Sequence, residues 1–140
     1  MTERVIVRQN AQFEAFVLAT DPQDPAAEEY HPVEHVLQLT PFGMLLVSMG
    51  TCTTILLHSY AQNHNLDLRE VEIRLHYAEA EKPGQGYEED IHETVLLDGD
   101  LTPEARERLF RISRQCAIHR LVEKGVAVHS HFSDEPIQAL

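Results

Sequence analysis

Positive charge is scarce in this sequence. Its 140 residues carry 11 Lys and Arg against 23 Asp and Glu, a formal net charge of -12, which repels a phosphate backbone unless the basic groups gather on one face. They concentrate only over Arg106, Arg108, Arg111, Arg114 and Arg120, which fall on several helical faces and are interleaved with Glu104, Glu107 and Glu123. That is the pattern of a solvated helix with internal ion pairs, and nucleic acid is not expected as a partner. No unbroken apolar run approaches the roughly 20 residues of a bilayer span, so no membrane partner is expected either. The opening residues, Met1 to Arg8, alternate charged and branched apolar side chains and lack the continuous apolar core of a signal peptide, which points to the cytoplasm. Cysteine is nearly absent. Cys52 and Cys116, 116 − 52 = 64 residues apart, form neither a CxxC motif nor a zinc set, and a cytoplasmic chain would not normally keep them as a structural disulfide. The nine histidines include His129 with His131 and His31 near His35, but no complete ligand set, so no metal is expected. Phosphate loop, nucleophile elbow and dinucleotide fingerprint are missing, and no cofactor is expected.

What is present fits one domain over residues 1–140, because a chain of this length buries one core but not two. Arg4 to Val7 and Gln12 to Ala19 are β-rich runs flanking Arg8-Gln9-Asn10-Ala11 and predict a hairpin. Asp21 to Tyr30 reads as a loop, and His31 to Leu39 has room for a short third strand. Thr40-Pro41 is a helix start: the hydroxyl caps free N–H groups and proline loses nothing at the first helical position. A long helix from Pro41 to about His64 follows, with Leu45, Met49, Cys52, Leu56 and Tyr60 at spacings of three and four and additional apolar residues that leave little polar face. Val71, Ile73, Leu75 and Tyr77 alternate with polar residues as a half-buried strand. Ala78 to Asp90 reads as an exposed hairpin loop, Ile91 to Leu97 as the returning strand, and Asp98-Gly99 as a turn. Thr102-Pro103 opens a second helix through Leu109, Ile112 and Cys116, ending at Gly125. Val126 to Phe132 predicts a last strand and Ser133 to Leu140 a polar tail. Without a βαβ rhythm, this is an α+β order with an antiparallel-rich sheet.

Two segments resemble a known family. Thr40-Pro41-Phe42-Gly43-Met44 through Cys52 is similar to the central-helix motif of the OsmC/Ohr proteins, in which cysteine follows the opening proline by 11 residues, here 52 − 41 = 11. Cys116-Ala117-Ile118-His119-Arg120 resembles that family's second cysteine and its Cys-Pro-Val-His-Arg form. The resemblance covers roughly residues 40 to 132. It implies an OsmC-like α+β fold with sheets packed on two helices, one long and central, in an intertwined homodimer. Independently, a mostly apolar helix in so small a chain needs more cover than one sheet provides.

In active members the resemblance implies a thiol peroxidase that reduces organic hydroperoxides and is recharged by a dithiol reductant. Cys52 would attack and Cys116 would resolve the sulfenic acid into a disulfide. Against this stands the plain reading of both cysteines as buried small hydrophobes on apolar stripes. Peroxidase members carry a glutamate just after the proline that helps hold an activating arginine; here Phe42 and Gly43 stand there. Glu34 or another carboxylate is left as a substitute, and Arg8 is the candidate cation, with an ordinary exposed arginine as its alternative. Arg120 equally suits a helix C-terminus, and His119 reads as a packing position. The alternative function is a non-catalytic OsmC-like dimer that binds a small apolar ligand.

Overall fold

A computed structural model describes residues 2–139, without the side chains of Ala80, Lys82 and Tyr87. Five strands form one antiparallel sheet: β1 (Val5–Asn10), β2 (Ala15–Ala19), β3 (His31–Pro32), β4 (Asp67–Lys82) and β5 (Gly86–Asp100), in the order β3-β2-β1-β4-β5. The helices are α1 (Pro41–Asn63), α2 (Pro103–Ser113) and α3 (Ala117–Lys124), with a short 3-10 turn at Val36–Gln38 before α1. The fold class is therefore α+β.

Period-two patterning places Val5 and Val7 of β1, and Val71, Ile73 and Leu75 of β4, on one face of the sheet, fully or almost fully buried. α1 lies across that face and adds Leu46, Met49, Leu57 and Ala61 to the core. The helix runs close to the strands because it has no side chain at Gly50, where a Cβ would stand 2.8 Å from Val7 Cγ2 and 3.0 Å from Leu75 Cδ1. Its start follows the Thr40-Pro41 signal: the Thr40 hydroxyl accepts from the Gly43 N–H at 3.0 Å. Glu3 completes the cap, since its buried carboxylate accepts from Thr40 N at 2.9 Å and Thr40 Oγ1 at 2.6 Å. By length and composition alone α1 is apolar enough to cross a bilayer, contrary to the expectation that no segment approaches such a span. In this fold it is the core helix, with Thr53, Thr54 and His58 buried along its inner side.

Three expectations are corrected. The segment Ala78 to Asp90 is not an open loop: β4 and β5 stay paired through Lys82↔Gly86, and Gly84 and Gly86 turn the chain at φ 79°. Backbone pairing carries the arm where apolar alternation has run out. The short third strand expected within His31 to Leu39 is present as His31–Pro32, followed by the 3-10 turn capped by His35. The second helix breaks into α2 and α3 at Arg114 to Cys116, so Cys116 is the N-cap of α3 rather than a residue inside a helical stripe. Finally, Val126 to Phe132 forms no strand; among the described residues no strand pairs with it, and Val128 and Phe132 are 80% and 93% exposed. His129 and His131 are exposed there and share no strand face. The tail expectation reaches Leu140, which lies outside the described residues.

Candidate dithiol site

The break between α2 and α3 brings the thiols together. Cys52, half-buried in the middle of α1, and Cys116, 1% exposed at the α3 cap, are both free, and they lie near each other in the lining of one cavity. Cys116 Sγ also lies 3.9 Å from the Met49 carbonyl oxygen, one turn before Thr53 on α1. They share the floor of an open cavity of about 810 Å³, walled by Met44, Val47, Ile55 and Leu56 of α1 and Ala117 and Ile118 of α3. Among the described residues lining it, none is charged.

Burial pushes the Cys116 thiol up from its ordinary value, and the neighbouring Cys52 adds to this. The His119 backbone N–H and the Thr53 hydroxyl act in the opposite direction by favouring the thiolate. Behind the thiols, Thr53 Oγ1 lies 3.0 Å from the Met49 oxygen and 3.4 Å from Glu93 Oε1. Glu93 reaches this position from β5, where Ile91, Glu93, Val95 and Leu97 alternate toward the helices and pair with Tyr77, Leu75, Ile73 and Val71. Its other oxygen, Oε2, faces His119 Nδ1 at 3.6 Å. His119 Nε2 meets Glu123 Oε1 at 2.5 Å on the outer side of α3. Burial raises the Glu93 carboxyl above the usual range, only partly offset by His119 and Thr53.

Arg8 is not brought to the thiols. It alternates with Val7 onto the opposite face of the sheet, where its Nε and Nη2 donate to Glu72 Oε1 at 3.0 and 2.5 Å. Arg74 donates to the other Glu72 oxygen at 2.7 Å. Glu34 lies exposed in the segment before the 3-10 turn, and the carboxylate nearest the α1 start, Glu3, is occupied with Thr40. The carboxylate that reaches Thr53 and His119, the neighbours of the thiols, is Glu93, a residue that the sequence alone did not single out. Its signal was present: an acid on the inward, otherwise apolar phase of a strand.

A fold of this order, with two thiols meeting where a long helix abuts a helix cap, defines an α+β dithiol protein. The chain belongs to the OsmC-like protein family, whose model matches residues 34–131. Among solved structures it is similar to an OsmC-like hydroperoxide resistance protein from Jannaschia sp. CCS1, with 14% identity, 96% of this chain and 95% of that chain covered, and a TM-score of 0.59. It is also similar to the organic hydroperoxide resistance protein OhrB of Bacillus subtilis, with 13% identity, 89% and 93% covered, and a TM-score of 0.51. At such identities the likeness concerns the fold. No curated protein sequence matches the chain.

Proposed function

We propose that this protein reduces organic hydroperoxides with the Cys52/Cys116 pair, as a cytoplasmic homodimer of the OsmC-like stress-response kind. The observation that carries the reading is the meeting of both thiols on the floor of an apolar cavity; the two fold relatives described above as hydroperoxide resistance proteins support it. The Cys52 thiolate attacks the peroxide, an S–O bond forms as the O–O bond breaks, and the alkoxide leaves as the alcohol after taking a proton. The Cys116 thiolate then attacks the Cys52 sulfenic sulfur: the S–S bond forms, the S–O bond breaks, and hydroxide leaves as water. Two thiols and one hydroperoxide give a disulfide, an alcohol and water, and a dithiol reductant restores the pair. The first step is expected to be slow. Cys52 lies three turns inside α1, beyond the reach of the helix N-terminus, and the described lining supplies no cation.

Dimerisation is part of the proposal, because the outward side of α1 and the C-terminal segment leave Ile55 at 45%, Val126 at 62% and Phe132 at 93% exposure. The same uncharged lining favours the second reading, a dimer that holds a small apolar ligand without chemistry. Intact-mass measurement after stoichiometric cumene hydroperoxide separates them. The parent should lose two hydrogens, Cys116→Ser should carry oxygen on Cys52, and Cys52→Ser should show no early change. A parent that stays reduced while a simple thiol is oxidised would replace the enzyme with the binder.

A further inference from the structure

The thiols are backed by a polar chain that leads out of the core and that the peroxide chemistry above leaves unused. Glu93 Oε2 and His119 Nδ1 are buried and have no hydrogen-bond partner among the described residues, yet face each other at 3.6 Å. Two such groups left unpaired in a core are costly unless a proton is shared between them. On the inner side Glu93 Oε1 reaches Thr53 Oγ1 at 3.4 Å, and Thr53 Oγ1 and Cys116 Sγ converge on the Met49 carbonyl oxygen, at 3.0 and 3.9 Å, so that the hydroxyl also favours the Cys116 thiolate. On the outer side His119 Nε2 bonds Glu123, whose side chain is 63% exposed. The single Thr53 hydrogen cannot serve the Met49 carbonyl, Glu93 and the Cys116 sulfur at once. Its bonding must therefore change with the protonation of Glu93 and of Cys116.

Resting on the dithiol reading, we propose that Glu93 is a positioning residue that acts through Thr53, taking up the proton Cys116 sheds as it closes the disulfide and passing it through His119 and Glu123 to solvent. The hydroxide expelled from the Cys52 sulfenic acid takes its proton from water in the open cavity, so the step balances. Within the described residues, the titratable group that faces Glu93 is His119 of α3, with Glu123 behind it, while the thiols connect to it through Thr53 and the Met49 carbonyl. Its cross-strand neighbour on β4 is the apolar Leu75.

The test follows the rate of Cys52–Cys116 closure against pH. With cumene hydroperoxide, Glu93→Gln should leave Cys52 oxidation within about twofold of the parent and slow closure about a hundredfold near neutral pH, at the low end of general acid–base effects. The parent rate should level off above the pH at which Glu93 ionises. In Glu93→Gln it should instead keep rising with pH, and Glu93→Asp should restore part of the plateau. Thr53→Val cuts the link while keeping the Glu93 carboxyl and His119 in the chain and should reproduce the Gln profile, which covers the case of a misfolded Glu93 variant. Unchanged closure rates and profiles in Glu93→Gln or in Thr53→Val overturn the relay. Diamide, which accepts two hydrogens from a dithiol to become a hydrazine, closes the same disulfide without peroxide. If hydroperoxide oxidises nothing but diamide closure keeps its dependence on Glu93, the peroxidase reading falls and the relay stands; if peroxide works and neither profile moves, the reverse holds.

Discussion

Gly50 and Glu93 make opposite demands at the level of single residues. A methyl group at Gly50 would meet Val7 and Leu75, which are 0% and 1% exposed and have no free space to retreat into. Gly50→Ala is expected to cost about 1–3 kcal/mol despite alanine's better helix propensity, measured as a lower urea midpoint at unchanged m-value; an equal or higher midpoint would show that the contact relaxes freely. Glu93 destabilises the fold it serves. Because burial raises its carboxyl, the folded protein binds that proton more tightly than the unfolded chain, so its contribution to stability grows as pH falls through the folded pKa and is least favourable at neutral pH. Glu93→Gln should therefore unfold at the same or a higher urea concentration than the parent at neutral pH, the difference closing toward the ordinary carboxylate range. A marked loss at neutral pH would instead make Glu93 a structural ion-pair partner.

At the level of elements, the outer face of the sheet carries the complementary effect. Burial alone would push the Glu72 carboxyl up, but Arg8 of β1 and Arg74 of β4 together hold it below its usual range. A carboxylate with a lowered folded pKa contributes stability that is present above its unfolded pKa and is lost as pH falls through the folded one. The parent should thus lose more stability between neutral and strongly acid pH than Glu72→Gln does; parallel losses in urea titrations would remove Glu72 from the account. Among the helices, α2 depends on its N-cap: the Thr102 hydroxyl accepts from the Ala105 N–H at 3.1 Å. Thr102→Ala is expected to cost about 1 kcal/mol, seen as a lowered thermal midpoint. The α2–α3 join has a functional consequence beyond stability, because it turns the Cys116 thiol inward against α1 while leaving α3 a separate amphipathic helix.

For the whole molecule, the proposed dimer accounts for apolar surface that one chain leaves uncovered, on α1 and along residues 126–137. Sedimentation at micromolar concentration should give twice the chain mass, and Ile55→Glu, which changes an exposed α1 residue, should shift it toward the monomer; a folded monomeric parent would end the proposal. The two helix starts at Thr40-Pro41 and Thr102-Pro103 and the buried phase of β4 were determined by the sequence itself, because caps, proline and side-chain periodicity act over a few residues. Tertiary structure alone decided the rest. The arm over residues 78–90 is held by cross-strand backbone bonds that hydrophobic alternation does not report. Arg8 went to Glu72 because it shares a sheet face with it, 64 residues away in sequence. Glu93 reached Thr53 of α1 and His119 of α3 because its side chain extends from β5 between the two helices, and contacts between such distant residues are set by how elements pack rather than by any local pattern.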